Sequence, residues 1–256
     1  MSLEFSDIRK TFSSGHAEVV AIDGLSLHIE DDEFVCILGP SGCGKSTLLF
    51  MVAGLEPQSE GSIFFNGESV TAPSADRGML FQQFALFPWL SARRNVEFAL
   101  SLRGISAEER WKKAKRWLDL MGLTKFSDAY PHTLSGGMQQ RVAIARLLVS
   151  DPSIMLMDEP FAALDAQTRA VLGEELIRVW QESRRTVLFV THSVDEAILL
   201  SDRLVIMTPR PGKIKADLQI ELPRPRDPSS DEFNKLRRYV TELLKHDMQV
   251  TNKLLK

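Results

Sequence analysis

A glycine-rich loop directly after an apolar run is the feature that most constrains this fold. The run FVCIL, residues 34–38, has the apolar character of a buried strand and leads directly into GPSGCGKST, residues 39–47. This segment satisfies the pattern G-x-x-x-x-G-K-[ST]. Glycines allow positive φ angles and leave no Cβ in the way, so backbone N–H groups and the following helix N-terminus can face an anion. The pattern therefore predicts a strand, a phosphate-binding loop and a helix.

Single residues of this loop have separate predicted roles. Lys45 directs a positive charge toward the β and γ phosphates of a nucleotide, and the Ser46 hydroxyl is placed to ligate Mg²⁺. Cys43 is interpreted as a small filler rather than a redox switch, because a reactive thiol needs evidence of thiolate character. The predicted nucleotide-binding residues of the loop are Gly39, Pro40, Ser41, Gly42, Cys43, Gly44, Lys45, Ser46 and Thr47.

Composition narrows the class of protein and its location. The 256 residues are 44% hydrophobic, which suffices for a large domain, and the net charge of -3 argues against nonspecific nucleic-acid binding. The two cysteines, Cys36 and Cys43, indicate neither a zinc site nor a disulfide framework and fit a reducing cytosol. The N-terminus lacks the apolar core of a signal peptide, and no apolar run reaches the roughly 18 residues that a spanning helix needs. We therefore expect a cytoplasmic chain that reaches a membrane only through a partner.

Short apolar runs alternate with helical patterns along the chain. This alternation is typical of a mostly parallel sheet covered by helices. The stretches 2–8 and 19–29 instead indicate antiparallel strands of a side sheet with one solvated face. The predicted core strands are residues 34–38, 79–81, 154–157, 186–191 and 204–207.

Two regions outside this pattern are predicted to be helical. Strand signals vanish between residues 91 and 150, where Ser106 and Glu109 form a capping box that opens a helix running to about Gly122. Near the C-terminus, PRPGK breaks the chain and PRPRDPSS is interpreted as a linker. Apolar residues then recur at helical spacing between 233 and 244, which predicts an amphipathic terminal helix.

Two carboxylates follow the apolar strand at residues 154–157. Asp158 and Glu159 would lie at the carboxyl edge of the sheet, where the phosphate loop also lies. Asp158 is suited to hold Mg²⁺ through water, and Glu159 can polarise the water that attacks the γ phosphate. The structural alternative is that the pair caps a helix starting near Leu164.

The segment LSGGMQQR, residues 134–141, precedes another helical pattern. Ser135 stands where an N-cap belongs, and Gly136 and Gly137 leave room for an anion at the helix N-terminus. The residues alone leave two interpretations open, a second phosphate-binding helix end or an ordinary cap with a glycine-rich turn.

These motifs together resemble the ATP-binding-cassette ATPases. GPSGCGKST, LSGGMQQR, IMLMDEP, AALD and the pair Thr191-His192 occur in that family's order and approximate spacing, and Gln82 fits its loop glutamine. The resemblance covers about residues 1–210, and the LSGGMQQR signature is specific to the family. It implies an α/β fold, in which a P-loop NTPase core with a mostly parallel sheet carries an N-terminal antiparallel β subdomain and an inserted helical subdomain. The expected ATPase domain is 1–211, with the helical subdomain at about 88–150, and 212–256 form a C-terminal extension.

The resemblance also implies a role for each matching residue. The family forms head-to-tail dimers, homodimeric or of paired cassettes, in which each ATP contacts the glycine loop of one chain and Ser135, Gly136 and Gly137 of the other. It implies the following further roles: Phe12 stacks on adenine, Ser46, Gln82 and Asp158 serve Mg²⁺, Glu159 is the general base, Asp165 couples the two sites, and His192 contacts the γ phosphate. On the residues alone, Phe12 is more typical of packing and His192 of a structural hydrogen bond. Met138 and Ala162 depart from the residues usual in the family, but neither departure removes a catalytic group.

FALFPW, TPRPGKI and ELPRPRD resemble the ATPase subunits of nitrate, sulfonate and taurine importers. This resemblance implies integral membrane permease subunits as partners, an external solute-binding protein that selects the solute, and a peripheral position on the cytoplasmic face of a bacterial inner membrane. The aromatic segment 82–90 would receive a helix of the permease, or else pack the helical subdomain onto the core.

Two alternative functions are those of a soluble cassette protein of DNA repair or translation and of a catalytically dead module. The first would carry two cassettes or a long arm, and the second would lack Lys45, Glu159 or His192.

Overall fold

A computed structural model describes residues 2–14, 17–162, 164–182 and 184–254. The chain divides into two compact units. The first unit comprises Met1–Ser74 and Arg184–Lys256, and the second unit comprises Ala75–Ser183. The predicted α/β class, with parallel strands and an antiparallel N-terminal sheet, is confirmed.

The antiparallel sheet of the first unit is built from alternating sequences. Its order is β2-β1-β4-β5, where β1 is Leu3–Ser14, β2 is Ala17–Ile29, β4 is Glu60–Phe65 and β5 is Glu68–Ser69. One face is buried and the other is wetter, as the period of two along these strands predicts. The buried residues of the two long strands include Leu3, Phe5, Ile8, Leu25, Leu27 and Ile29.

The first unit also contains four strands of the core sheet, in the order β10-β9-β3-β8. They are β3 (Phe34–Leu38), β8 (Thr186–Thr191), β9 (Arg203–Met207) and β10 (Ile214–Gln219). Strand β3 runs parallel to β8 and β9, whereas β10 is antiparallel to β9. Every residue of β3 and β8 is buried, as expected for strands covered on both faces. The helices of this unit are α1 (Lys45–Val52), α6 (Val194–Leu200) and α7 (Asp231–Leu254).

The second unit is mainly helical. Its two strands, β6 (Arg77–Leu80) and β7 (Ile154–Asp158), are parallel. Its helices are α2 (Ala92–Leu102), α3 (Ala107–Leu120), α4 (Gly136–Val149) and α5 (Ala166–Glu182), with short 3-10 turns at Thr124–Phe126 and Pro131–Thr133. The predicted cap of α3 is present, because the Ser106 hydroxyl accepts a hydrogen bond from Glu109 N at 3.3 Å.

The interpretation of PRPRDPSS as a linker was wrong. Arg226 within this segment is only 8% exposed and donates hydrogen bonds to main-chain carbonyl oxygens elsewhere in the first unit. Helix α7 then packs by apolar residues at the predicted spacing, with Phe233 and Val240 fully buried. The segment is therefore part of the packed fold. Among the described residues, no helix is both long and apolar enough to span a bilayer.

Candidate active site

The glycine loop leaves the core sheet of the first unit beside two other segments. Leu38, the last residue of β3, pairs with Thr191 of β8 and with Ile206 of β9, and both pairings are parallel. The loop, His192 and the segment after Met207 consequently emerge at one edge of the sheet. Ligands of open α/β sheets bind at this carboxyl edge.

The loop adopts the conformation for which its glycines were predicted. Gly42 has a φ of 77° and Gly44 a φ of 101°, both in the left-handed region. Gly44 also lacks room for a side chain, since a Cβ there would lie 2.8 Å from Ile22 Cγ1 and 3.2 Å from Ala21 O. Helix α1 begins at the next residue, so its N-terminal N–H groups lie at the end of the loop.

Lys45 is directed into the loop itself. Its side chain is 5% exposed, and its ammonium group donates hydrogen bonds to Gly39 O at 2.8 Å and Pro40 O at 2.9 Å. Phosphate oxygens are stronger, charged acceptors for the same donors. The Lys45 ammonium group can therefore exchange these neutral carbonyl acceptors for the oxygens of an anion bound in the loop.

Cys43 fits the interpretation of a filler residue. Its side chain is fully buried, with the sulfur 3.9 Å from Lys45 Nζ. Burial raises the pKa of the Cys43 thiol, and this effect outweighs the opposing charge of Lys45. The residue is therefore a neutral thiol at pH 7 rather than a nucleophile.

Phe12 and His192 are the other predicted site residues of the first unit. Phe12 lies near the end of β1, and its ring is 40% exposed, with Lys10 Nζ at 4.9 Å from the ring centroid. His192 is exposed, directly after β8 and before Ser193, which caps α6. Both side chains are accessible, and their roles stay predictions.

Two predicted residues of the second unit meet each other. Leu80 pairs with Met157, so Gln82 and Glu159, each two residues further on, leave the same edge of the parallel pair. Gln82 Nε2 lies 3.3 Å from Glu159 Oε2. The structure therefore brings together the glutamine expected to serve Mg²⁺ and the carboxylate expected to activate the attacking water.

The two acidic residues at the end of β7 differ in environment. Asp158 is the last residue of the strand and is only 2% exposed. Glu159 is half-buried and has a φ of 47°, a left-handed conformation that is uncommon outside glycine and costs on the order of 1 kcal/mol. The fold therefore holds Glu159 in a conformation that local preference alone would not select.

The helix after this pair is capped by Asp165. Its carboxylate accepts hydrogen bonds from Thr168 N at 2.9 Å and Thr168 Oγ1 at 2.7 Å. These bonds lower the pKa of Asp165, so the cap is charged at neutral pH. The alternative that Asp158 and Glu159 cap this helix is therefore wrong.

The LSGGMQQR segment forms the start of α4. Ser135 is its N-cap and accepts a hydrogen bond from Met138 N at 3.3 Å. Ser135 and Gly136 are exposed, and Gly137 is half-buried. The first N–H groups of a helix have no partner within it, so this exposed end can accept an anion.

Sequence reasoning missed one cation beside the glycine loop. A Cβ built on Gly42 would lie 3.8 Å from Arg210 Nη2, and one built on Gly212 would lie 2.1 Å from Cys43 O. Gly212 also donates to Ala21 O at 2.8 Å, which fastens the segment after β9 to β2 at a carbonyl that lies beside Gly44 of the loop. PRPGK was interpreted as a chain break and as part of the importer resemblance, with no role at the nucleotide site. The available signal was an arginine following a strand that was expected to end at the same sheet edge.

The parallel sheet, the loop after its strand and the following helix define a P-loop nucleotide hydrolase. Residues 22–162 match the family model described as ABC transporter. The chain belongs to the ABC transporter family and is an ATP hydrolase of the ATP-binding-cassette type.

Curated relatives extend the match over nearly the whole chain. An uncharacterized ABC transporter ATP-binding protein of Methanocaldococcus jannaschii is 50% identical, covering 97% of this chain and 93% of the relative. The nitrate import ATP-binding protein of Synechocystis sp. is 46% identical, over 99% and 95%. The aliphatic sulfonates import ATP-binding protein of Bacillus cereus is 43% identical, over 94% and 95%.

A solved structure shows the same fold. It is the dimeric post-hydrolysis state of an ATP-binding cassette bound to ADP and Pi, with a TM-score of 0.80 and 33% identity. The likeness covers 86% of this chain and 99% of that one.

Proposed function

We propose that this chain is the ATP-hydrolysing subunit of an ABC importer, which couples hydrolysis to uptake of a small solute through partner membrane subunits. The observation that carries the proposal is the near full-length similarity to two import ATP-binding proteins, of nitrate and of aliphatic sulfonates. An importer subunit of this kind lies peripherally at the cytoplasmic face of the inner membrane. The ATPase domain is 1–211, with the helical subdomain at about 88–150, and 212–256 are an extension.

The transported substrate is a small solute of the nitrate, sulfonate or taurine type. Relatives at 46% and 43% identity are named for different anions, so similarity of this subunit does not choose between them. We infer that an external binding protein and the permease select the solute. Micromolar binding of nitrate or a sulfonate to the isolated chain would contradict this division of labour.

The nucleotide is bound by the glycine loop, 39–47, with Lys45 on the β and γ phosphates and Phe12 against the base. A Mg²⁺ ion, when bound, neutralises charge that develops on the phosphate oxygens. The Ser46 hydroxyl, the Gln82 amide and the Asp158 carboxylate would hold it. All three supply oxygen donors, which suit this hard cation.

Hydrolysis depends on Glu159 as general base. Its carboxylate takes a proton from the attacking water, while Gln82, 3.3 Å away, helps to orient that water. The exposed His192 donates a hydrogen bond to the γ phosphate oxygens as charge builds there. The roles of Gln82 and His192 require side chains that can reach solvent or the phosphate. Both side chains are exposed, which supports these roles.

Two chains, or this chain and a paired cassette, form the working dimer. The exposed N-terminus of α4, with Ser135, Gly136 and Gly137, contacts the ATP held by the glycine loop of the other chain. Asp165 caps the helix that follows and couples the two sites. The dimeric state of the related cassette supports this arrangement.

The aromatic segment 82–90 divides into a packed part and an exposed part. The Phe87 ring packs on Phe98 of α2, with centroids 4.5 Å apart, and Phe87 N donates to Asn95 Oδ1 at 2.8 Å. The Trp89 side chain is 70% exposed, on a segment that these contacts attach to α2. An exposed tryptophan on an ordered segment is typical of an interface anchor. We infer that Trp89 docks on the permease.

Replacing Trp89 by alanine is expected to lower recovery of the permease with the tagged chain by about tenfold, because the loss of one anchor costs on the order of 1–2 kcal/mol. Basal ATP hydrolysis of the free chain should stay within about twofold of wild type. Leu102→Ala, which removes another exposed apolar side chain of the second unit, is the control. Equal recovery of the permease by the Trp89 and Leu102 variants would exclude Trp89 as the anchor.

Arg210 is expected to strengthen nucleotide binding through its charge beside the glycine loop. Arg210→Gln should weaken ATP binding about threefold at low ionic strength and less at 0.5 M salt, because exposed charges are screened. The matched control is Lys235→Gln, the same charge change at an exposed position of α7. Fluorescence titration with an ATP analogue measures the affinity of both variants at each salt concentration. A loss of affinity of the same size in both variants would rule out a local effect.

A further inference from the structure

The C-terminal extension contains a buried arginine that donates to the end of helix α6. Arg226 donates five hydrogen bonds to main-chain carbonyl oxygens, and it is only 8% exposed. Burial lowers the pKa of Arg226 to about 10, so the guanidinium stays charged at neutral pH. The acceptors are Leu222 at 2.9 Å, Ile198 at 2.5 Å, Leu199 at 3.3 Å, Ser201 at 2.6 Å and Ile220 at 3.3 Å.

Three of these five bonds, to Ile198, Leu199 and Ser201, are directed at the C-terminus of α6. The last four carbonyl groups of a helix have no partner within it. In α6, Arg226 covers Ile198 and Leu199, Arg224 covers Leu200, and the Ser201 hydroxyl donates to Ala197 O at 2.6 Å. Two guanidinium groups also complement the negative end of the helix dipole. The extension thus supplies most of the cap of this seven-residue helix.

The N-terminal turn of α6 is held by α7. Arg237 of α7 forms an ion pair with Asp195, with 2.5 Å between Nε and Oδ1. The same arginine donates to Asn234 Oδ1 at 3.0 Å, which fixes its direction. The extension therefore contacts α6 at both ends.

Helix α6 begins at Val194, two residues after His192. Ser193, the next residue, caps the helix by accepting from Glu196 N at 3.3 Å. Ser193 N in turn donates to Thr191 Oγ1 at 3.0 Å, and that hydroxyl donates to Glu196 Oε2 at 2.5 Å. His192 lies between Thr191 and Ser193, which these hydrogen bonds join to each other and to Glu196. The position of the first turn of α6 therefore determines the position of the His192 backbone.

We propose that the C-terminal extension is a positioning element for His192. Arg226 and Arg237 are positioning residues, which hold α6 from its two ends and thereby keep the histidine where it meets the γ phosphate. The inference rests on the proposed role of His192 in hydrolysis. It predicts that loosening α6 lowers the rate of the chemical step, while ATP affinity, which depends on the loop after β3, stays unchanged.

The test compares variants in two backgrounds, wild type and His192→Ala. Arg226→Met removes the buried donors and Arg237→Ala the surface ion pair, whereas Arg237→Lys can restore that pair. Arg238→Ala, an exposed neighbour on α7, is the control. For each variant, kcat for ATP hydrolysis, KM, the Kd of a nonhydrolysable ATP analogue and the melting temperature are measured.

We expect kcat to fall about tenfold for Arg226→Met and about threefold for Arg237→Ala, with the Kd within twofold, because small misplacements of a catalytic group are costly. In the His192→Ala background neither change should lower kcat by more than about twofold, since the group they position is absent. Arg237→Lys should regain most of the rate, and Arg238→Ala should match its parent. If Arg226→Met lowers the melting temperature below the assay temperature, the Arg237 pair alone decides the outcome.

Equal losses of kcat in both backgrounds would overturn the inference, as would a loss of ATP affinity in step with kcat. A different result bears on the proposed function itself. If His192→Ala hydrolyses ATP at the normal rate, the role of His192 fails before any question of its positioning arises.

Discussion

Replacing Glu159 by glutamine is expected to slow ATP hydrolysis by a factor on the order of 10² or more while leaving ATP binding intact. Glutamine keeps the size of the side chain but cannot accept the proton of the attacking water. Phosphate release at saturating ATP measures the first effect, and equilibrium binding of a fluorescent ATP analogue measures the second. Because ATP then persists at the interface, light scattering with ATP present should show a stable dimer.

The matched control for this prediction is Glu175→Gln, on α5 of the same unit, where the carboxylate is paired with Arg178. This variant should hydrolyse ATP at close to the normal rate. Hydrolysis by Glu159→Gln at the wild-type rate would remove Glu159 from the role of base. The proposed part of Gln82 would then lose its support as well, since it rests on the 3.3 Å contact with Glu159.

Lys45→Ala is expected to abolish ATP binding, with a loss of affinity of at least about 10², because hydrogen bonds from a charged donor contribute about 1.5–3 kcal/mol each. The ammonium group is buried in the loop and is already directed at its interior. The same titration with a fluorescent analogue provides the measurement.

Lys115→Ala, which removes an exposed lysine paired with Asp119, is the control for the lost charge. Melting temperatures of both variants separate loss of binding from loss of folding, because Gly39 and Pro40 lose a donor in Lys45→Ala. Tight residual binding of ATP by a folded Lys45→Ala protein would contradict the role given to this residue.

Continuous apolar runs made the core strands predictable. Residues 34–38 and 186–191 were predicted with the bounds that β3 and β8 have, since both strands are buried on each face and interrupted by no polar residue. Strand β1 runs to Ser14, well beyond the predicted residue 8. Its continuation pairs with β2 through several register shifts, which a period of two in one sequence cannot reveal.

The segment around Arg226 shows why some of the fold escapes prediction. Prolines and charged residues are typical of exposed linkers, and nothing local marks Arg226 as buried. Its burial depends on carbonyl groups at the end of α6, which lie 25 to 28 residues earlier in the chain. Only the three-dimensional fold brings these groups together.

The candidate site was predictable to different degrees. The glycine loop follows from its own residues, because φ angles and phosphate contacts are local requirements. The roles given to Gln82, Phe12 and His192 depended on the family resemblance, and they stay predictions. The parallel register of Leu80 with Met157 supplies a physical reason for the approach of Gln82 to Glu159. Arg210 was missed because its contact with the loop arises from the pairing of β9 with β3.

The most direct test of the proposed function is a pull-down of the tagged chain from detergent-solubilised membranes of its source cells. Partners are identified by mass spectrometry, and ATP hydrolysis is assayed in the same fraction. The proposal predicts a multi-spanning membrane subunit, together with ATPase activity that the Glu159→Gln chain lacks. Active ATPase recovered only with soluble partners, such as ribosomes or DNA-bound proteins, would keep the hydrolytic chemistry and contradict the importer.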